Sequence, residues 1–140
     1  MNPTAYLEAL KAKYPGTKTD LSALNVLLRG YTVRAVDRLV SETFRCQSEH
    51  GFDATPAEDI ALMHSELSEA LEDIRDKKWG LAFGDPEKPL KPTGVASELA
   101  DVLIRVLAFA GKHNIDLADA VVRKILYNET RPFRHGGKIL

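Results

Sequence analysis

Apolar residues recur along most of the chain at the three- and four-residue spacing of an α-helix, and no strand-like alternation stands out. A short helix is predicted from Pro3 to Tyr14. A longer one follows Thr19 or Asp20, either of which can cap it, and extends towards Gly51. Its apolar positions are Leu24, Leu27, Leu28, Val33, Val36, Leu39, Val40 and Phe44. Gly30 either divides this segment into two helices or weakens a single one.

The second half of the chain predicts three more helical segments. Thr55 and Glu58 have the spacing of a capping box and predict a helix that runs to about residue 77. Residues 79–94 contain three glycines and three prolines, which predicts a loop. Helices are then predicted over about 95–113 and, after a cap at Asp116, over 117–130, where Pro132 stops the chain from continuing as a helix.

These segments predict an all-α fold, a bundle of four or five helices in a single domain over residues 1–140. Residues 1–50 would form the N-terminal helices, 55–131 the helices that carry the chemistry, and 132–140 a flexible cationic tail. The segment from about Val95 to Ala110 is apolar around nearly its whole circumference, which is typical of a buried helix. One layer of helices covers such a segment poorly, so we expect a homo-oligomer, at least a dimer.

Two pairs of carboxylates interrupt the apolar pattern. Glu66 and Glu69 lie three residues apart on one predicted helix, and Glu98 and Asp101 lie three apart on the next. Each spacing places both side chains on one helical face. On a helix as apolar as the second, carboxylates need compensation, because an unpaired buried charge costs several kcal/mol.

Two kinds of compensation are open. Arg105 follows Asp101 by four residues and would form an ordinary pair within the helix. A cation held between the helices would instead serve all four carboxylates, and oxygen-only ligands select Mg²⁺ or Mn²⁺. Such cations would activate water and stabilise the charge of a displacement at phosphorus, with Glu66 or Glu69 receiving the proton.

Composition narrows the classes of partner. The formal net charge is −1, so there is no bulk basic field for nucleic acid or for an anionic membrane. The single Cys46 fits a reducing compartment, and the first residues lack the apolar core of a signal peptide. The longest apolar stretch contains Glu98, Asp101 and Arg105, which argues against a membrane span. We therefore expect a cytoplasmic protein.

Cationic and amide side chains crowd the C-terminal part of the chain and suggest a polyphosphate ligand. Three of them share one helical face, and the remainder follow in the tail. The phosphate-binding candidates are Lys124, Asn128, Arg131, Arg134 and Lys138. For a nucleobase, Trp79 and Phe83 in the loop are stacking candidates, although such stacking tolerates any base. Alternatives on the second helix are Phe44, Gln47 and His50.

The ordered pattern E66-L-S-E69, a gap of 28 residues and E98-L-A-D101 resembles the metal-binding signature of MazG-like, all-α nucleoside triphosphate pyrophosphohydrolases. The downstream K124…N128…R131 and RPFRHGGK are similar to the tail of a MazG-like subgroup. The resemblance covers about residues 55–138. Many members carry a further acidic residue where this chain has Ser65.

The resemblance implies Mg²⁺-dependent cleavage of a ribo- or deoxyribonucleoside triphosphate to the monophosphate and pyrophosphate, in a homodimer or homotetramer. Removal of non-canonical nucleotides is one role that such an enzyme could have. Two alternatives stay open. An enzyme acting on phosphoribosyl-ATP would share the fold and the metals, and a non-catalytic helical interaction module would explain the helices without the acidic pairs.

Overall fold

Five helices account for most of the residues that the computed structural model describes, which are 1–83 and 86–132. They are α1 (Pro3–Lys13), α2 (Leu21–Glu49), α3 (Pro56–Arg75), α4 (Val95–Lys112) and α5 (Leu117–Glu129). In this described part the only pairing of extended backbone is an isolated bridge between Ala82 and Thr93. The prediction of an all-α fold with up to five helices is confirmed.

The helices begin where the sequence supplies acceptors for their free N–H groups. Asp20 accepts from the N–H groups of Ser22 and Ala23 at the start of α2. Thr55 and Glu58 form the predicted capping box at α3, and Asp116 caps α5. α2 continues through Gly30 without a break, so the glycine weakens one helix and does not divide it.

The chain forms two compact units. Unit 1 comprises Met1–Arg38 and the described residues from Asp116 onwards, and therefore contains α1, the first part of α2, and α5. Its core consists of Leu10, Leu21, Val122 and Leu126, all 6% exposed or less. Polar contacts add to this core, because Asp119 accepts hydrogen bonds from Arg29 and Arg123. The prediction of one domain over 1–140 stays a prediction.

Unit 2 comprises Leu39–Ile115 and is built on α3 and α4 packed side by side. Asp59 of α3 forms an ion pair with Lys112 of α4. Glu66, which lies later on α3, pairs with Arg105, which lies earlier on α4. The two helices are therefore antiparallel. The end of α2 packs on α4 at Gly111, where an added Cβ would lie 2.7 Å from the Cβ of Phe44.

The connection between α3 and α4 closes on Gly94, which has a φ of +95°. A Cβ at this position would lie 2.3 Å from the Gly80 carbonyl oxygen, so only glycine fits. Val95 N–H donates to the Lys78 carbonyl at 2.9 Å, which joins the start of α4 to the chain just beyond α3. This closure fixes the register of α4 against α3.

α4 is less covered than its sequence suggests. Leu107, Ala108 and Ala110 are buried, but Leu99 and Leu103 remain 51% and 52% exposed. The expectation of a helix buried on all sides is therefore wrong for the single chain. In the described part of the chain, no helix is both long and apolar enough to cross a membrane.

The pair of arginines on Asp119 generates a prediction about acid stability. The hydrogen bond from Arg123, followed by the one from Arg29, lowers the pKa of Asp119 despite its partial burial. The folded state therefore favours the carboxylate, and this stabilisation is complete above the pKa of the unfolded chain and is lost as pH falls through the lowered pKa. We expect Asp119→Asn to reduce the free energy of unfolding by about 1–3 kcal/mol at neutral pH, and by progressively less in acid.

Urea unfolding of both proteins over a series of pH values measures this difference. Asp116→Asn is the matched control on the same helix, because asparagine caps about as well as aspartate. A stability difference between wild type and Asp119→Asn that does not depend on pH would contradict the assignment.

Candidate metal centre

Three carboxylates from two helices meet in unit 2. Glu66 and Glu69 lie one turn apart on α3, and Glu98 lies in the first turn of α4. One carboxylate oxygen from each of the three lies within 4.8 Å of the others. Two structural features produce this convergence. The three-residue spacing aligns Glu66 with Glu69, and the antiparallel packing brings Glu98 across to them.

Two of the three carboxylates are nearly buried. Glu66 and Glu98 are each 9% exposed, whereas Glu69 is open to solvent. Burial raises the pKa of Glu98, and the negative charges of Glu69, Asp101, Glu66 and Asp73 raise it further. Without a cation, the cluster is therefore held together against its own repulsion.

Arg105 provides one compensating charge. Its Nε donates a hydrogen bond to Oε1 of Glu66 at 2.8 Å, and its Nη2 forms an ion pair with the same oxygen at 2.6 Å. The sequence also allowed a pair within α4, between Arg105 and Asp101. In the structure Arg105 instead pairs with Glu66 on α3. Glu66 is thus neutralised by a neighbour, while Glu69 and Glu98 have no such cation among the hydrogen bonds and ion pairs described for them.

The donor set suits a hard divalent cation. All three groups are carboxylates, which favour Mg²⁺, Mn²⁺ or Ca²⁺ over softer metals. Metal–oxygen distances are about 2.0–2.6 Å for these ions, so two ligands of one cation lie up to about 4–5 Å apart. The 4.8 Å limit on the three oxygens falls in this range. One cation therefore fits the cluster with modest side-chain adjustment.

Two cavities lie in unit 2, one at the carboxylate cluster and one beside Arg105. The first has a volume of about 330 Å³ and is strongly acidic. It is lined by Glu69, Glu72, Asp73, Asp76, Lys78, Thr93 and Glu98. Lys78 already pairs with Asp73 and Asp76, so the carboxylates of Glu69 and Glu98 remain to attract a cation from solution.

The second cavity, of about 270 Å³, has both apolar and polar walls. Arg105 and Asp101 border it, so it lies next to the residue that holds Glu66. The remaining lining residues are Cys46, Gln47, Phe52, Asp53, Ala54, Asp59, Leu62 and Ile104. The volume suffices for a flat organic ring with two or three polar contacts, and is below the usual range for a whole drug-sized ligand.

The other predicted ligand, Asp101, is not a member of the three-oxygen group. It lies one turn after Glu98, is half-buried, and contributes to the raised pKa of Glu98. The sequence could not distinguish it from Glu98, because the two share a helical face. Its role as a metal ligand stays a prediction.

Among the described residues, the phosphate-binding candidates belong to unit 1 and the carboxylates to unit 2. Lys124, Asn128 and Arg131 are exposed at the end of α5, and the ammonium of Lys124 lies 5.7 Å from the ring centre of Tyr127. Arg134 and Lys138 lie outside the described residues.

Two of the candidates for base stacking, Trp79 and Phe44, have different surroundings. Trp79 is 63% exposed in the loop after α3. Phe44 is 39% exposed, and its Cβ lies close to Gly111 of α4. Gln47, an alternative for base recognition on sequence grounds, lines the second cavity, whereas sequence reasoning did not select Phe52 or Leu62. Their common cavity depends on how α2, α3 and α4 pack, which no local pattern encodes.

The repulsion around Glu98 generates a second prediction. Deprotonation of a carboxylate whose pKa is raised destabilises the fold, so the metal-free protein loses stability as pH rises through that pKa. We expect Glu98→Gln to stabilise the metal-free protein at neutral pH by on the order of 1 kcal/mol, and to abolish its stabilisation by Mn²⁺. Thermal unfolding with EDTA and with Mn²⁺ measures both effects.

Glu72→Gln is the control, since it removes an exposed carboxylate from the acidic cavity that Glu69 and Glu98 also line. This variant should leave both the stability of the metal-free protein and its stabilisation by Mn²⁺ close to those of the wild type. A metal-free Glu98→Gln protein that is less stable than wild type would show that Glu98 has a structural role.

Comparisons of the chain with protein-family models, with curated proteins and with solved structures found no match. The chemistry of the chain's own residues is therefore the basis for assigning a function. The convergence of Glu66, Glu69 and Glu98 is the feature that such an assignment has to explain.

Proposed function

We propose that this chain is a Mg²⁺-dependent nucleoside triphosphate pyrophosphohydrolase of the MazG-like type. The observation that carries the proposal is the meeting of three carboxylate oxygens, two of them on nearly buried side chains, between α3 and α4. An interaction module has no use for a cluster whose charges oppose one another. A hydrolase that binds a polyphosphate through divalent cations uses such a cluster directly.

A bound divalent cation would neutralise phosphate charge and promote the ionisation of water. In the reaction, a water oxygen attacks the α-phosphorus and the bond between that phosphorus and the oxygen bridging to the β-phosphorus breaks. The products are a nucleoside monophosphate and pyrophosphate, and the attacking water loses a proton to a nearby base.

Glu69 suits the role of proton acceptor better than Glu66 does. Oε1 of Glu66 already accepts a hydrogen bond from Nε of Arg105 and pairs with its Nη2, so this oxygen is occupied and less available to accept a proton from water. Glu69 is exposed and borders the acidic cavity, where both water and substrate have access. We therefore assign cation binding to Glu66 and Glu98, with Asp101 in support, and both binding and proton transfer to Glu69.

The cavity bordered by Asp101 and Arg105 is the proposed place for the nucleoside. Leu62 and Ile104 offer apolar surface to a base, and the amide of Gln47 can both donate and accept a hydrogen bond. The volume of about 270 Å³ admits a base or a nucleoside but excludes a triphosphate chain. The phosphates would then extend towards the cations.

Two further parts of the proposal concern phosphate binding and assembly. Lys124, Asn128 and Arg131, together with Arg134 and Lys138 of the tail, would bind the phosphates. A second copy of the chain would cover Leu67, Leu71, Leu99 and Leu103, which are all between 46% and 52% exposed. A homodimer or homotetramer is the expected assembly.

Release of pyrophosphate from a panel of ribo- and deoxyribonucleoside triphosphates, canonical and modified, with phosphoribosyl-ATP included, tests the function. We expect Mg²⁺-dependent turnover that Glu69→Gln lowers by at least about 100-fold, because the variant loses both a ligand and the proton acceptor. The same variant should unfold at or above the wild-type temperature.

Ser68→Ala is the control for Glu69→Gln, since Ser68 is an exposed neighbour on α3. Turnover of phosphoribosyl-ATP alone would favour the related enzyme. Absence of turnover with every substrate, or wild-type turnover by Glu69→Gln, would contradict the proposal.

Ile104→Trp tests the nucleoside cavity by filling it. We expect the variant to raise KM for a nucleoside triphosphate by about tenfold or more, and to leave cleavage of inorganic tripolyphosphate, which has no nucleoside, within about twofold. Ile115→Trp is the control, because it makes the same replacement at an exposed position of unit 2 that lines neither this cavity nor the leucine surface. Equal effects of Ile104→Trp on both substrates would show that the nucleoside binds elsewhere.

A further inference from the structure

Arg105 connects the carboxylate cluster to the opposite helix in an unusual way. A side-on pair between arginine and a carboxylate usually places one donor on each oxygen. Here Nε donates to Oε1 of Glu66 at 2.8 Å, and Nη2 lies 2.6 Å from the same atom as an ion pair. The other oxygen of Glu66 is therefore left to serve as a ligand, and its direction is fixed by the hold on Oε1.

Burial makes this hold restrictive. The side chains of Glu66 and Arg105 are 12% and 31% exposed, so neither has the rotational freedom of a surface pair. Asp101 lies one turn before Arg105 on the same helix, yet the hydrogen bond and the ion pair of Arg105 both cross to α3. Hydrogen-bonded partners of this kind orient metal ligands in known metal sites, and their loss costs about 10–100-fold in metal affinity.

We propose that Arg105 is a positioning residue, which holds Glu66 in a ligating orientation and thereby increases the affinity of the three-carboxylate cluster for a divalent cation. The proposal rests on the cation site of the proposed function and assigns a role to a residue outside it. In this role Arg105 acts on the cation only through Glu66, although its side chain also borders the cavity proposed for the nucleoside.

The positive charge of Arg105 and its orienting effect on Glu66 have opposite effects on cation affinity. A guanidinium next to the cluster repels an incoming cation. Replacement of Arg105 by a neutral residue would therefore strengthen cation binding by removing this repulsion, and weaken it because Glu66 would no longer be oriented. A substitution that keeps the charge separates these effects. Arg105→Lys retains one positive charge, but the ammonium is a point donor that cannot reproduce the two-donor fork.

We expect Arg105→Lys to weaken Mn²⁺ binding by about tenfold, measured without nucleotide by electron paramagnetic resonance of the free ion and by calorimetry. Both proteins are measured well below their unfolding temperatures. In a Glu66→Gln background the same substitution should change Mn²⁺ affinity by less than about twofold, because Arg105 acts through Glu66.

Arg45→Lys is the matched control. Arg45 pairs with Glu42 and Glu49 on the exposed face of α2, so this arginine-to-lysine change should not alter Mn²⁺ affinity. It also measures the general cost of replacing a paired arginine in unit 2.

The outcomes separate this inference from the proposed function. If the wild type binds Mn²⁺ and Arg105→Lys binds it equally well with a lower melting temperature, Arg105 only joins α3 to α4 and the inference is overturned. The inference is also overturned if Arg105→Lys weakens binding equally in the Glu66→Gln background, because the effect then bypasses Glu66. If the wild type does not bind Mn²⁺, the proposed function fails together with the inference.

Discussion

Mutual repulsion among three carboxylates is the constraint around which unit 2 is arranged. Glu66, Glu69 and Glu98 are held close together by the antiparallel packing of α3 and α4, although burial and like charge oppose the ionisation of Glu98. Interactions elsewhere in the unit keep them there. Gly94 closes the connection between the two helices. Arg105 of α4 pairs with Glu66 at the cluster, and Lys112 of α4 pairs with Asp59, two turns earlier on α3. The fold thus holds together charges that would otherwise separate, and so provides a binding site for positive charge.

The fold class could be predicted from the sequence because its causes are local. Helical periodicity, the capping box at Thr55 and Glu58, and the cap at Asp116 each depend on residues within one or two turns. The helix ends agree with the predicted ends to within about two residues for the same reason. The acidic pairs could also be placed on their helical faces, since a spacing of three residues fixes relative direction whatever the tertiary structure.

Features that depend on packing could not be predicted. Arg105 was an equally good partner for Asp101 by spacing, and only the packing of α3 on α4 directs it to Glu66. The cavity beside it joins Gln47, Leu62 and Ile104 from three different helices. The exposure of Leu99 and Leu103 likewise follows from how many helices surround α4, which helical periodicity does not report.

The central claim, that these three carboxylates bind a divalent cation, is tested most directly by anomalous X-ray diffraction from crystals of the protein grown with Mn²⁺. We predict an anomalous peak within bonding distance of oxygens from Glu66, Glu69 and Glu98, and its disappearance in Glu98→Gln crystals. Mn²⁺ bound only elsewhere on the protein, with Arg105 still the sole cation at the cluster, would contradict the claim.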